Sequence, residues 1–179
     1  KERNLDKIRE TVRRTGFTEV INYSFMNRDD LNLLSLPEGD RRRRCISLKN
    51  PLRQEDSLMR TTLIPSLIKN FLYNLAHGTR EISLYELSRV FIDEGDRLPK
   101  EELRLGGIFF RGNAPSVWPE QIPSFFAVKG ALKTLFDEMK VGDYSLVPTD
   151  EVFLHKGKSA DILFKGHKTG FIGEIGLHV

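Results

Sequence analysis

Residues 50–67 read NPLRQEDSLMRTTLIPSL, a turn signal followed by the start of a helix. The turn is predicted at Asn50-Pro51, because proline fixes its own φ and disfavours a helical residue before it. Thr61 or Thr62 can cap the helix, and Pro65 is tolerated in its first turn. The apolar positions at helical spacing are Leu63, Leu67, Phe71 and Leu75, with Ile64, Ile68 and Leu72 beside them. So wide an apolar face predicts a helix that is buried on two sides.

Helices and strands are predicted on both sides of this stretch. Upstream, the pattern predicts helix Glu2–Thr15 stopped by Gly16, strand Phe17–Met26, a short helix to Leu36 capped by Asp29 or Asp30, and strand Cys45–Leu48. Downstream, it predicts strands Ile82–Ile92 and Arg104–Phe110, an irregular stretch Gly112–Ile122, helix Phe125–Lys140, and strands Tyr144–Val147, Ser159–Phe164 and Thr169–Leu177. Strands joined by short loops, with helices inserted, predict an α+β fold with an antiparallel sheet flanked by helices.

The composition is that of a globular protein. Of the 179 residues 39% are hydrophobic and 30% are charged, and the net charge of +3 permits a nucleic-acid partner without arguing for one. No apolar run is long enough to span a membrane, so no membrane partner is expected. The single cysteine, Cys45, excludes an internal disulfide and favours a cytoplasmic location. The charged start at Lys1 and the apolar end at Val179 predict a fragment of a longer chain.

Four motifs follow one another along the chain. They are Gly16-Phe17-Thr18-Glu19-Val20; Asn50-Pro51-Leu52 with Glu55, Ser57, Met59-Arg60-Thr61, Leu63 and Pro65-Ser66-Leu67; Leu84-Tyr85-Glu86-Leu87 with Val90-Phe91; and His155-x-Gly157-Lys158-Ser159-Ala160 with Gly173-Glu174 and Leu177-His178. Together they resemble the bacterial phenylalanyl-tRNA synthetase beta subunit family. In the fourth motif Lys156, Lys158 and Val179 replace the family's Pro, Arg and Pro. The resemblance implies a class II synthetase-like module over residues 1–179.

The resemblance also implies that this module does no chemistry. Active class II synthetases carry Phe-Arg-x-Glu at the end of a strand, where the arginine binds the α-phosphate of ATP. The corresponding residues are Phe91, Ile92 and Glu94, and an isoleucine neither donates a hydrogen bond nor carries charge. We therefore expect a degenerate nucleotide site, with no catalytic, cofactor-binding or metal-binding residue in this fragment. The alternative is that these residues simply end a strand.

By the same resemblance, the whole enzyme contains two alpha and two beta subunits. It ligates phenylalanine to its tRNA with ATP and Mg²⁺, and the alpha subunit performs the chemistry. This module is expected to pack against alpha, and the interface candidates are Gly16, Phe17, Glu19 and Val20 with the helix before them. The rival surface is the apolar face Leu63–Leu75.

An alternative function is tRNA binding through a run of four arginines. These residues are Arg41, Arg42, Arg43 and Arg44. Adjacent guanidinium groups can neutralise several phosphates of a nucleic-acid backbone. No aromatic residue is interleaved with them and acidic residues lie nearby, so a solvated loop is the simpler interpretation.

Overall fold

The computed structural model describes residues 2–51, 53–112 and 124–176. Most of the predicted irregular stretch Gly112–Ile122, and the motif residues Leu52, Leu177 and His178, lie outside the described residues. The chain divides into two compact units. We call residues 18–108 the central unit, and residues 1–17 with 109–179 the terminal unit. These names refer to position in the sequence.

The elements confirm the α+β class. In chain order they are α1 (Glu2–Arg14), β1 (Thr18–Glu19), β2 (Phe25–Met26), α2 (Arg28–Leu33), 3-10 turns at Arg41–Arg43 and Gln54–Asp56, β3 (Leu58–Met59), α3 (Ile64–Ala76), β4 (Glu81–Ile92), β5 (Lys100–Arg111), α4 (Ser124–Glu138), β6 (Tyr144–Val147), β7 (Leu154–Phe164) and β8 (His167–Ile175). The described strands form sheets in the orders β1-β4-β5, β2-β3 and β6-β7-β8. The pair β1–β4 is parallel, whereas β2–β3 and the pairs within β6-β7-β8 are antiparallel.

The core of the central unit lies between α3 and β4. Leu63 and Leu67 pack against Val90, with Ile108 of β5 and Val20 at the edge of the cluster. Burial removes these side chains from water at a gain of roughly 25 cal/mol per Å² of apolar surface. The core of this unit therefore joins the helix to the sheet through one stripe of residues.

The prediction that α3 is buried on two sides is wrong. Leu72 is 54% exposed and Tyr73 is also exposed, because the helix contacts the sheet through only one of its faces. Of the two predicted caps, Thr62 accepts a hydrogen bond from the amide of Ile64 at 3.4 Å, although Leu63 occupies the cap position itself. The hydroxyl of Thr61 instead donates to the carbonyl of Arg42.

The prediction of one continuous strand over Phe17–Met26 is also wrong. Only β1 and β2 at its two ends are paired in ladders, because polar side chains hold the residues between them, as described below. The strand Cys45–Leu48 is reduced to a single bridge from Ser47 to Leu58. The cap of α2 is Asn27, whose side chain accepts a hydrogen bond from the amide of Asp29.

The terminal unit packs α4 on the antiparallel sheet β6-β7-β8. Its core residues are Ala160, Ile162 and Ile172, with Phe125, Val128, Leu132, Phe136 and Leu146 against them. The helix α1 lies against α4, and the Lys7 ammonium donates to the carbonyl of Glu138. Gly16 ends α1 at a φ of +92°, a conformation that favours glycine, as its position in the sequence predicted.

The fourth motif forms a bulge in β7. The ladder between β7 and β8 shifts register between Leu154 and Ser159, so residues 155–158 are exposed beside it. Ser159 then lies directly opposite Gly173. A Cβ atom on Gly173 would stand 2.6 Å from the Cβ of Ser159, closer than two carbon atoms can approach. The bulge therefore requires a glycine at this position.

Gly173→Ala should destabilise the chain by about 1–3 kcal/mol, because β8 would have to move away from β7. Gly170→Ala in the same strand is the matched control. Its Cβ would meet Ile162 Cδ1 at 3.6 Å, an ordinary contact, and its cost should stay within about 0.5 kcal/mol. Urea unfolding of both variants measures the difference. Equal stability of the two variants would contradict the steric argument.

Candidate functional site

A buried ion pair lies at the centre of the central unit. Arg60 is 0% exposed and Glu86 is 2% exposed, and Arg60 Nη1 lies 2.7 Å from Glu86 Oε1. Arg60 directly follows β3 and belongs to the second motif, whereas Glu86 lies in β4 and belongs to the third. Two buried charges are tolerated only when they are paired and hydrogen-bonded. The fold therefore brings two distant motifs together through one interaction.

The other donors of the Arg60 guanidinium are also used inside the protein. Its Nε donates to the carbonyl of Arg89 at 3.0 Å, and its Nη2 donates to Ser88 Oγ at 2.5 Å. Its backbone amide donates to the carbonyl of Ser24, and its carbonyl accepts from the amide of Phe91. Each of the three guanidinium nitrogens therefore donates within the protein, and the buried Arg60 side chain is not available for a phosphate group.

The carboxylate of Glu86 extends the network towards α3. Asn22 Nδ2 donates to Glu86 Oε2 at 2.8 Å, and Asn70 Nδ2 of α3 donates to Asn22 Oδ1 at 3.0 Å. We call Arg60, Glu86, Ser88, Asn22 and Asn70 the Arg60–Glu86 network. Over the described part of the chain, no buried side-chain nitrogen or oxygen lacks a hydrogen-bond partner. Such a fully satisfied network rigidifies the structure around it.

The segment on the outer side of this network exposes large apolar side chains. Ile21 is 93% exposed and Tyr23 is 86% exposed, and Phe25 is also exposed to water. Side chains of extended backbone alternate between faces, so Asn22 points inward between the two most exposed residues. We call residues 21–25 the exposed segment.

Three of the four interface candidates from the sequence are half-buried and have partners within the protein. Val20 packs on the core, Glu19 accepts a hydrogen bond from the hydroxyl of Tyr85, and the ring of Phe17 lies against Phe109. Gly16 serves the helix end. Their role at an interface therefore stays a prediction.

Tyr23 and Phe25 were missed as interface candidates. The signal was in the sequence, because alternation places Ile21, Tyr23 and Phe25 on one face of the segment. The rival face Leu63–Leu75 divides in two: Leu63 and Leu67 are buried in the core, whereas Leu72 is exposed.

The residues at the degenerate nucleotide motif are engaged in the fold. Ile92 is 3% exposed and lies on the same face of β4 as Glu86 and Val90. Glu94 accepts a hydrogen bond from Arg41 Nη2 at 2.5 Å. The amide of Phe91 donates to the carbonyl of Arg60. None of these three residue types carries a positive charge that could bind a phosphate.

The first arginine of the run is tied to two carboxylates. Arg41 bonds to Glu94 and also to Glu102 at 2.9 Å, and Arg104 donates to Glu102 as well. Burial by itself raises the pKa of Glu102, but the hydrogen bonds from Arg41 and Arg104 outweigh it and lower the pKa to about 2. The carboxylate is therefore ionised at any physiological pH.

The next two arginines also have internal partners. Arg42 lies 2.7 Å from Asp40, and this hydrogen bond lowers the pKa of the Asp40 carboxyl. Arg43 Nε donates to the carbonyl of Leu36 at 2.8 Å, while Arg44 is exposed. A tRNA phosphate would have to compete with these contacts, so tRNA binding by Arg41–Arg44 stays a prediction.

A comparison with known protein families assigns this chain to one of them. A family model described as "Phenylalanyl tRNA synthetase beta chain CLM domain" matches residues 1–179. This chain belongs to the phenylalanyl-tRNA synthetase beta chain family. The match confirms the resemblance on which the sequence interpretation rests.

Two relatives give the scale of the beta-chain similarity. The phenylalanine–tRNA ligase beta subunit of Moorella thermoacetica is 38% identical over 93% of this chain and 21% of the relative. That of Symbiobacterium thermophilum is 34% identical over 93% of this chain and 19% of the relative. The beta-chain module thus spans about a fifth of the length of these relatives.

A solved structure with the same fold is a synthetase. The crystal structure of pyrrolysyl-tRNA synthetase from Desulfitobacterium hafniense matches the beta-chain module with a TM-score of 0.68 at 12% identity. The match covers 93% of this chain and 56% of that chain. It confirms the predicted synthetase-like fold.

Arg60→Met alone should lower the free energy of unfolding by about 3–5 kcal/mol, because it leaves the Glu86 carboxylate buried without its counter-charge. The double variant Arg60→Met, Glu86→Leu should recover at least half of that loss. The exposed pair Lys158–Glu174 is the control, and Lys158→Ala should cost less than about 1 kcal/mol. Chemical denaturation measures all three. A double variant no more stable than Arg60→Met alone would refute this account of the pair.

Proposed function

We propose that residues 1–179 form one non-catalytic, synthetase-like module of a phenylalanyl-tRNA synthetase beta subunit, which associates with the catalytic alpha subunit. The whole enzyme, of two alpha and two beta subunits, ligates phenylalanine to its tRNA with ATP and Mg²⁺ in the cytoplasm. The observation that carries this proposal is the burial of Ile92, the residue that the motif resemblance aligns with the phosphate-binding arginine of active class II synthetases.

The proposed lack of catalysis rests on the lack of a free cation at Ile92 and Arg60. Transfer of an adenylyl group needs a cation at the α-phosphate, where negative charge develops. The Ile92 side chain supplies none, and the buried Arg60 guanidinium is already paired with Glu86. A phosphate would have to displace that carboxylate, leaving Glu86 buried and unpaired, at a cost of several kcal/mol.

The carboxylates at the degenerate motif are already bonded to an arginine. Magnesium that accompanies ATP is held by one or two carboxylates together with phosphate oxygens and water. Over the residues that the structure describes, no group of three or more His, Cys, Asp or Glu side chains is placed to hold a metal ion. Glu94 and Glu102 are the nearest approach to an acidic pair at the degenerate motif, and both are bonded to Arg41. We therefore assign the nucleotide and its metal to the alpha subunit.

The exposed segment supports association with a partner protein. It offers Ile21 and Tyr23, and aromatic and aliphatic anchors of this kind carry much of the energy of protein interfaces. The exposed segment is therefore the proposed surface for alpha. In the described part of the chain, no helix combines the length and apolarity that crossing a membrane would need.

The isolated module should show no phenylalanine-dependent exchange of pyrophosphate into ATP. Loss of one charge-stabilising donor typically lowers such a rate by a factor of about 10²–10³, and the remaining groups supply no substitute. The assembled enzyme at the same concentration is the positive control. Exchange by the module above the buffer background would overturn the proposal that it is non-catalytic.

The double variant Ile21→Ser, Tyr23→Ser in the full beta chain should raise the Kd for the alpha subunit about tenfold or more. Leu98→Ser is the matched control, because Leu98 is 77% exposed in the same unit but lies outside the exposed segment. Sedimentation of mixtures of the two subunits measures the Kd. If the control weakens association as much as the double variant, the segment is not the docking surface.

A further inference from the structure

We propose that Asn22 is a positioning residue, which holds the exposed segment in the conformation that docks with the alpha subunit. This inference rests on the proposed association and goes beyond it, because Asn22 itself points away from the docking surface. The Arg60–Glu86 network thereby acquires a second role besides stabilising the fold.

Residues 21–24 of the exposed segment lie outside any backbone ladder. It begins after Val20, whose amide donates to the carbonyl of Tyr85, and it ends in β2. Within the described ranges 2–51, 53–112 and 124–176, no backbone hydrogen bond is formed by the amides of Ile21 or Tyr23. A segment of this kind would ordinarily sample many conformations, because nothing offsets its backbone entropy.

Hydrogen bonds to residues of the Arg60–Glu86 network hold these residues in place of a ladder. Asn22 donates to Glu86 through its side chain at 2.8 Å and through its backbone amide at 3.4 Å. Asn70 donates to the Asn22 oxygen from the opposite side, and the Ser24 carbonyl accepts from the amide of Arg60. The acceptor of the bond from Asn22 is the same Glu86 carboxylate that forms the ion pair with Arg60, and hydrogen bonds to such groups are stronger than neutral ones. The inward face of the segment is thus fixed at two successive inward residues.

This way of holding the segment leaves its outer side open. A ladder would order the backbone but would use the amides and carbonyls that an incoming chain could bind. The hydrogen bonds at Asn22 instead hold the backbone from the inside, so that the Ile21 and Tyr23 side chains point outward. The amides of these two residues form no backbone hydrogen bond with the residues that the structure describes. A surface that is ordered before binding loses less entropy on association, which raises affinity without any added contact.

The test uses the full beta chain and its alpha subunit. Asn22→Ala should raise the Kd about tenfold or more, because two or three residues would then have to be ordered on binding. In the Ile21→Ser, Tyr23→Ser background, Asn22→Ala should change the Kd less than about twofold, because the side chains it positions are gone. Ile162→Val in the core of the terminal unit is the control for lost stability, and it should leave the Kd unchanged.

The outcomes separate this inference from the proposed function. If Ile21→Ser, Tyr23→Ser weakens association but Asn22→Ala does not, the positioning role is overturned and the docking surface stands. An undiminished effect of Asn22→Ala in the serine background also overturns it. If the serine variant itself binds normally, the docking surface fails together with the inference. Where Asn22→Ala yields too little folded chain, Asn70→Ala carries the same test, and it should raise the Kd about two- to threefold.

Discussion

One ion pair organises the central unit. Arg60 and Glu86 are the interior charges through which β4, the residue after β3, the exposed segment and α3 are all joined. Neither charge could remain in the core without the other, since an isolated buried charge costs several kcal/mol. The hydrogen bonds to Ser88 and Arg89 then fix the geometry of the pair. The same pair therefore joins the interior of the central unit and supports the exposed segment on its surface.

The proposed non-catalytic role is linked to the buried network. Under that proposal, a site for ATP would need guanidinium groups that remain free to bind phosphate. Arg60 instead donates to Glu86, Ser88 and Arg89, and Ile92 is buried. Glu94 likewise accepts a hydrogen bond from Arg41. These charged side chains therefore form hydrogen bonds within the fold.

Much of the fold could be predicted from the sequence, because local patterns decide it. The bounds of α1, β4 and α4 fall within two residues of those predicted, and β6 agrees at both ends. The break in strand 17–26 could not be predicted, because it depends on Asn22 finding a carboxylate 64 positions away. The exposure of Leu72 was missed for a similar reason, since periodicity shows which residues share a helix face but not how much of it is covered. The motifs could be recognised in the sequence, but the contact between Arg60 and Glu86 that joins two of them could not be predicted.

The bulge in β7 has a practical consequence for work on the assembled enzyme. Residues 155–158 lie outside the ladder and are exposed, while the pairing resumes at Ser159 opposite Gly173. A short insertion or a fluorescent label at this point would interrupt no ladder pair, and exposed loops of this kind tolerate such additions. Lys156 is well suited as an attachment point, since its neighbour Lys158 is already bonded to Glu174. A reporter placed there would leave the sequence of residues 21–25 unaltered.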